Sequence, residues 1–199
     1  MKKSILTLII FICSFSSFSQ EAGTYTDTRD GKTYKTVKIG NQTWMAENLA
    51  FNTDSNCWVY DNDQNNVAKY GYLYKWKVAK AVCPSGWHLP DKEEFEILIN
   101  NCGSSDEAAY KALLPGGSSG FSAQFGGLSL GNGVFGDIGE CAYIWSSFKL
   151  GGYYEDVETG EVQYYGSMEI LEIKSSNSTA SICSPCPWHS FSVRCLQNN

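Results

Sequence analysis

Apolar positions in this chain follow two textures, and the change comes near Gly116. Before it they recur at helical spacing. Phe95, Leu98, Ile99 and Cys102 make one face of a helix. Its start is written locally: Pro90 prevents early initiation, Asp91 is a good N-cap, and Glu94 completes an Asp-x-x-Glu capping box. Ala108, Ala109, Ala112, Leu113 and Leu114 predict a second helix, capped by Ser104 or Ser105 and ended by Pro115. Residues 78–82 read as a short helical piece. After Gly116 the period becomes two. Residues 121–125, 142–148, 168–173 and 191–195 read as strands, and 153–157 with 161–165 flank Thr159-Gly160 as a hairpin. An earlier hairpin turns at Gly40-Asn41. Residues 21–32 read as loose, 52–66 as an Asn/Asp-rich loop, 126–139 as glycine-dense turns and 175–181 as a polar turn. Helices early and strands late make a single α+β domain.

Composition narrows the class. The chain has 199 residues, is 43% hydrophobic and 14% aromatic, and carries a net charge of -6. An acidic balance argues against nucleic acid and against an anionic membrane surface, because phosphate binding needs clustered Lys and Arg. Lys2 and Lys3 precede an apolar run over 5–15, and Ser17 and Ser19 supply small residues before Gln20. Residues 1–19 therefore read as a signal peptide, followed by a polar segment over 20–32 and the domain over 33–199. The run is too short to make an integral membrane protein. A lipoprotein anchored at Cys13 would want a small residue where Ile12 stands. Seven cysteines remain after cleavage: an exported chain keeps disulfides, and an odd number leaves at least one thiol over.

Motifs that resemble chemistry lack their structural context. Gly116-Gly117-Ser118-Ser119-Gly120 matches the nucleophile elbow, but the predicted helix lies before it and the strand after. Gly131 to Gly136 matches a phosphate-binding fingerprint with no helix following. Asp61-Asn62-Asp63-Gln64-Asn65 opens like a calcium loop, then fails at Asn66 and Tyr72. Cys183-Ser184-Pro185-Cys186 has redox spacing without room for a helix, and with His189 and Cys195 it would make a tight, unusual zinc set. His88, between Trp87 and Leu89, reads as packed or hydrogen-bonded. No catalytic residues, metal or cofactor are assigned. Trp44, Trp76, Trp87 and Trp145 read as core. Neighbours on a strand face opposite ways, so one of Tyr153 and Tyr154, and one of Tyr164 and Tyr165, should be exposed. These four tyrosines are the candidate binding residues.

Eight stretches stand out together: Asp30-Gly31-Lys32-Thr33-Tyr34, Ile39 to Leu49, Tyr60-Asp61-Asn62-Asp63, Tyr70 to Trp76, Cys83-Pro84-Ser85-Gly86-Trp87-His88-Leu89-Pro90, Gly120-Phe121-Ser122-Ala123, Trp145-Ser146-Ser147 and Ser192-Val193-Arg194-Cys195. In this order they resemble the Fibrobacter succinogenes major paralogous domain family, found in secreted and surface proteins of Bacteroidota and relatives. The resemblance implies a C-type-lectin-like α+β domain with two short helices, antiparallel sheets and long loops. It also implies a disulfide between Cys83 and Cys195. It carries no established activity, and the calcium motifs of sugar-binding C-type lectins are missing. The expected function is a non-catalytic secreted or cell-surface binding module for an extracellular glycan or surface protein. The alternatives are an extracellular enzyme acting on a polymer through residues 116–140, and a structural envelope component.

Overall fold

The computed structural model describes residues 21–131, 133–155, 162–185 and 188–199, with the backbone alone for 148–155 and 162–167. The expected signal peptide, the Thr159-Gly160 turn and Cys186 lie outside the described residues. In chain order come β1 (Ala22–Thr26), β2 (Thr33–Ile39), β3 (Gln42–Met45) and β4 (Cys57–Trp58). Then follow α1 (Val67–Tyr70), β5 (Leu73–Lys75), α2 (Trp76–Ala79), β6 (Trp87–His88), α3 (Lys92–Cys102) and α4 (Asp106–Leu113). The last part holds β7 (Gly126–Gly131), β8 (Val134–Ile138), β9 (Cys141–Glu155), β10 (Val162–Lys174), β11 (Thr179–Cys183), β12 (Ser190–Phe191) and β13 (Leu196–Gln197). The class is α+β. Among the described α-helices, α1 and α2 are single turns, α2 covering the start of the expected 78–82 piece.

One sheet has the order β1-β2-β3-β13-β6 and is antiparallel throughout. The other runs β11-β10-β9-β7-β12-β5-β4, with β8 on β7. Its one parallel contact between named strands joins Gly127 of β7 to Ala142 of β9. Neighbouring residues on a strand face opposite ways, and here each face meets a separate core. Trp44, Ile144 and Leu196 enter a cluster with Phe95, Leu98, Ala109, Leu113 and Phe121. Met45, Trp145 and Cys195 enter the other, with Tyr34, Tyr74, Trp87 and Phe191. The helical faces read from spacing thus cover one side of the strands: Phe95 stacks on Trp44 at 5.5 Å, with Ile99 and Cys102 half-buried beside them. Asp91 and Glu94 form the full reciprocal capping box, and Ser105 caps α4 through the Ala108 amide at 3.3 Å.

A disulfide joins Cys83, before β6, to Cys195, one residue before β13. It ties the helix-bearing middle of the chain to its end, where Leu196 pairs with both Trp44 and His88.

Several expectations need correction. Residues 21–32 are held, because β1 pairs with β2 and the buried Asp27 carboxylate accepts Arg29 Nε and NH2 at 2.9 and 2.6 Å. Burial works to raise the Asp27 pKa, and the bonds from Arg29 outweigh it, so the net shift is downward. Residues 121–125 form no strand: Ser122 takes a φ of 55°, and the Phe121 and Ser122 carbonyls accept from the Arg194 guanidinium in place of a ladder partner. Residues 191–195 are no single strand, since the chain leaves the second sheet after Phe191 and enters the first at Leu196. Alternation over 168–173 breaks at a bulge, where Met168, Glu169 and Ile170 are all buried. The polar turn ends at Ser178, and β11 follows.

Candidate functional site

Three stretches far apart in the chain meet at Asn48. Its amide donates to the Tyr70 carbonyl at 3.0 Å and to Ser192 Oγ at 3.2 Å. Its Oδ1 accepts from Arg194 NH2 at 2.9 Å. Arg194 is fully buried, donates also to the Phe121 and Ser122 carbonyls, and sits over the Phe121 ring at 4.3 Å. Burial drives its pKa down to about 9, and the Glu47 carboxylate only partly opposes this. Gly71 closes against the same place. Its φ is 70°, and a Cβ there would lie 2.5 Å from the Leu49 carbonyl oxygen, so only glycine fits. Asn48, Gly71 and Ser122 line a polar cleft of about 300 Å³ together with Lys35, Glu47 and Lys69.

A second feature lies where β12 enters its sheet. Ser190 pairs with Ser129 of β7 and Lys75 of β5. Trp188 lies two residues before that pair. Trp188 is 71% exposed, with Val134 at 50%. The Trp188 backbone is anchored, because Lys75 Nζ donates to its carbonyl at 2.9 Å. The same ammonium lies 5.9 Å from the Trp58 ring, and His189 packs edge-on to Phe191 at 5.9 Å. Burial, and then the Lys75 charge, lower the His189 pKa. This end of the chain thus carries a large apolar ring, an anchored backbone and the Lys75 ammonium, which suits stacking and hydrogen bonding.

Among the sequence-derived candidates, the tyrosines belong to the β9 and β10 ladder. Tyr153 is opposite Tyr164, Tyr154 opposite Gln163, and Tyr165 opposite Gly152. Their side chains lie outside the described residues. His88 is hydrogen-bonded rather than packed: Nε2 lies 3.0 Å from both Glu94 carboxylate oxygens and Nδ1 2.6 Å from Asn198 Oδ1. A zinc set that includes Cys195 is ruled out, since that sulfur is bonded to Cys83. Cys183 ends a strand, and burial raises its pKa to about 11, the reverse of a redox thiol. Among the described residues, no group of three His, Cys, Asp or Glu is placed to hold a metal ion.

Sequence reading passed over Trp188 and Arg194. A signal existed for the first: Pro185, Pro187 and His189 surround Trp188, with no apolar alternation to bury it. No local signal marks Arg194, whose partners lie 73 and 146 residues away.

The motif stretches around Asn48, Gly71, Ser122 and Arg194 are those that carried the resemblance. The model of the Fibrobacter succinogenes major domain matches residues 37–197. The chain belongs to that family. The match starts within β2 and ends with β13, so this family domain takes in the second sheet, the first sheet except β1 and the start of β2, both longer helices and the disulfide. No curated protein and no solved structure matches the chain.

Proposed function

We propose that this Fibrobacter succinogenes major domain is an exported binding module, acting outside the cytoplasm on an extracellular glycan or a surface protein. The observation that carries the reading is Trp188, a tryptophan 71% exposed on an anchored backbone. Tryptophan seldom stays in water without use, because its ring contributes large apolar area to a contact. The scaffold is read as C-type-lectin-like. Supporting this are the late β13 inserted between β3 and β6, the disulfide to the end of the chain, and the helices on one face. The disulfide also supports an oxidising compartment, and no described helix is long and apolar enough to cross a membrane. The tyrosines of the β9 and β10 ribbon are proposed as a second contact surface.

The test is a glycan array and a surface-protein pull-down with the purified chain, Trp188→Ala, and the pair Tyr153→Ala/Tyr164→Ala. Trp188→Ala should weaken a captured ligand at least about tenfold, the scale of a lost central aromatic contact, with unchanged melting. Empty screens, or full binding by Trp188→Ala, would overturn the reading.

A further inference from the structure

The polar cleft beside Asn48 has a charge opposite to that of the whole protein. Lys32, Lys35 and Lys69 line it with Glu47 as the one acid, in a chain of net charge -6. None of these three ammonium groups makes an ion pair among the described residues. Lys69 and Lys32 instead sit near the Tyr70 and Tyr34 rings, at 4.7 and 5.4 Å. Glu47 is engaged, since its Oε2 accepts the Lys35 backbone amide at 2.7 Å. The nearby Asp30 carboxylate accepts the Lys32 backbone amide at 2.9 Å. Behind the cleft lies the Arg194 guanidinium, which has no carboxylate partner among the described residues and bonds to Asn48 and Ser122, both cleft residues.

The lining also says what kind of molecule fits. The cleft is of about 300 Å³, the lower end of small-molecule sites. Its side chains are ammonium, amide, hydroxyl and carboxylate groups, with Ala46 and Ala68 the only apolar ones. An apolar ligand would find nothing to bury against. A hydroxyl-rich molecule with one negative group would meet the Gln124 amide, the Ser122 hydroxyl and three ammoniums outside any ion pair among the described residues. Two glycines widen it, and at Gly71 any side chain would strike the Leu49 carbonyl.

We propose that this cleft binds an anionic sugar unit, its negative group held by Lys35 and Lys69 and its hydroxyls by Ser122 and Gln124. The site shares no residue with the Trp188 face and stands independently of it. The anion is a carboxylate or a phosphate, which have the same needs here and come from different sources, an acidic polysaccharide or a phosphorylated sugar.

Isothermal titration of the purified chain with glucuronate, glucose 6-phosphate, glucose and inorganic phosphate tests this. Glucuronate or glucose 6-phosphate should bind saturably, and which of them binds names the source. Binding should weaken as salt rises, because exposed charges are screened over about 10 Å at 0.1 M. Both lysines are exposed, so Lys35→Gln and Lys69→Gln should keep the melting temperature. Each should weaken binding about fivefold, and the double variant should abolish it. The proposal fails if glucose binds as well as glucuronate, if inorganic phosphate alone binds, if no probe binds, or if the lysine variants leave affinity unchanged.

Discussion

Removing the bridge between Cys83 and Cys195 gives the sharpest measure of what holds this domain together. The two residues are 112 apart in sequence. On the chain-entropy model, opening a loop of that length returns about 16 cal/mol/K to the unfolded chain, or about 5 kcal/mol at 25 °C. The native side loses little in Cys83→Ala/Cys195→Ala, since each substitution deletes one sulfur atom. Cys195 is buried and already placed by other bonds, as its carbonyl accepts the Met45 amide at 3.0 Å. Replacing both sulfurs also keeps the free thiols Cys57, Cys102, Cys141 and Cys183 from exchanging with a reduced partner.

The assay is equilibrium unfolding in urea, followed by tryptophan fluorescence. With a slope of about 2.5 kcal/mol/M, a loss of about 5 kcal/mol moves the midpoint down by about 2 M. In a domain of this size it lowers the melting temperature by about 10–20 °C. The slope itself should rise, because an uncrosslinked unfolded chain exposes more surface. A stability loss below about 1 kcal/mol with an unchanged slope would refute the reasoning. It would mean that the pairing of Leu196 with Trp44 and His88 holds the chain end without help, or that the unfolded chain keeps the two segments together.

Two further outcomes follow from the buried groups. Burial raises the Tyr34 and Tyr74 pKa values well above 10.0, and that of Cys102 to about 11. Their neutral forms favour the fold fully below the unfolded values, and that stability drains away as pH climbs past about 10; absorbance of tyrosinate against pH should show these phenols ionising only with unfolding, and an early, fully reversible titration of all tyrosines would contradict it. Asp91→Ala removes the cap whose Oδ1 accepts the Glu94 amide at 2.8 Å, and urea unfolding should show a loss of about 1 kcal/mol, with no change arguing that α3 is held by Phe95 and Leu98 alone.

What the sequence made legible was local. The capping box of α3 needs four residues and appears as read, and the apolar spacing of Phe95 and Leu98 places them in the core. The hairpin of β2 and β3 was visible in its Gly40-Asn41 turn. Illegible features depend on distant partners. The polar residues 21–32 look loose until β2 offers them an edge and Arg29 reaches the Val82 carbonyl at 2.8 Å, 53 residues on. Residues 121–125 alternate like a strand, and nothing nearby reveals that their carbonyls will be claimed by a guanidinium. For the same reason the cleft could not be read: its walls come from four separated stretches, and its charge appears only when Lys32, Lys35 and Lys69 are brought together.

Arg194 shows why such a cleft holds its shape. Burying a guanidinium with no carboxylate partner among the described residues is costly, and burial holds its pKa well below the usual arginine value, down to about 9. The compensation is in geometry. One planar group donates to Asn48, Phe121 and Ser122, and hydrogen bonds from a charged donor are worth about 1.5–3 kcal/mol each. Three such bonds offset part of the cost. A lysine at this position would present a single point of charge, unable to span acceptors on two segments. An apolar residue would avoid the desolvation but leave three acceptors without that donor. The arginine therefore adds little net stability, while it fixes the Asn48 side chain and the backbone of residues 121–122 relative to each other. Those groups are two walls of the cleft, so a costly internal cation becomes the means by which a surface site is held open and polar.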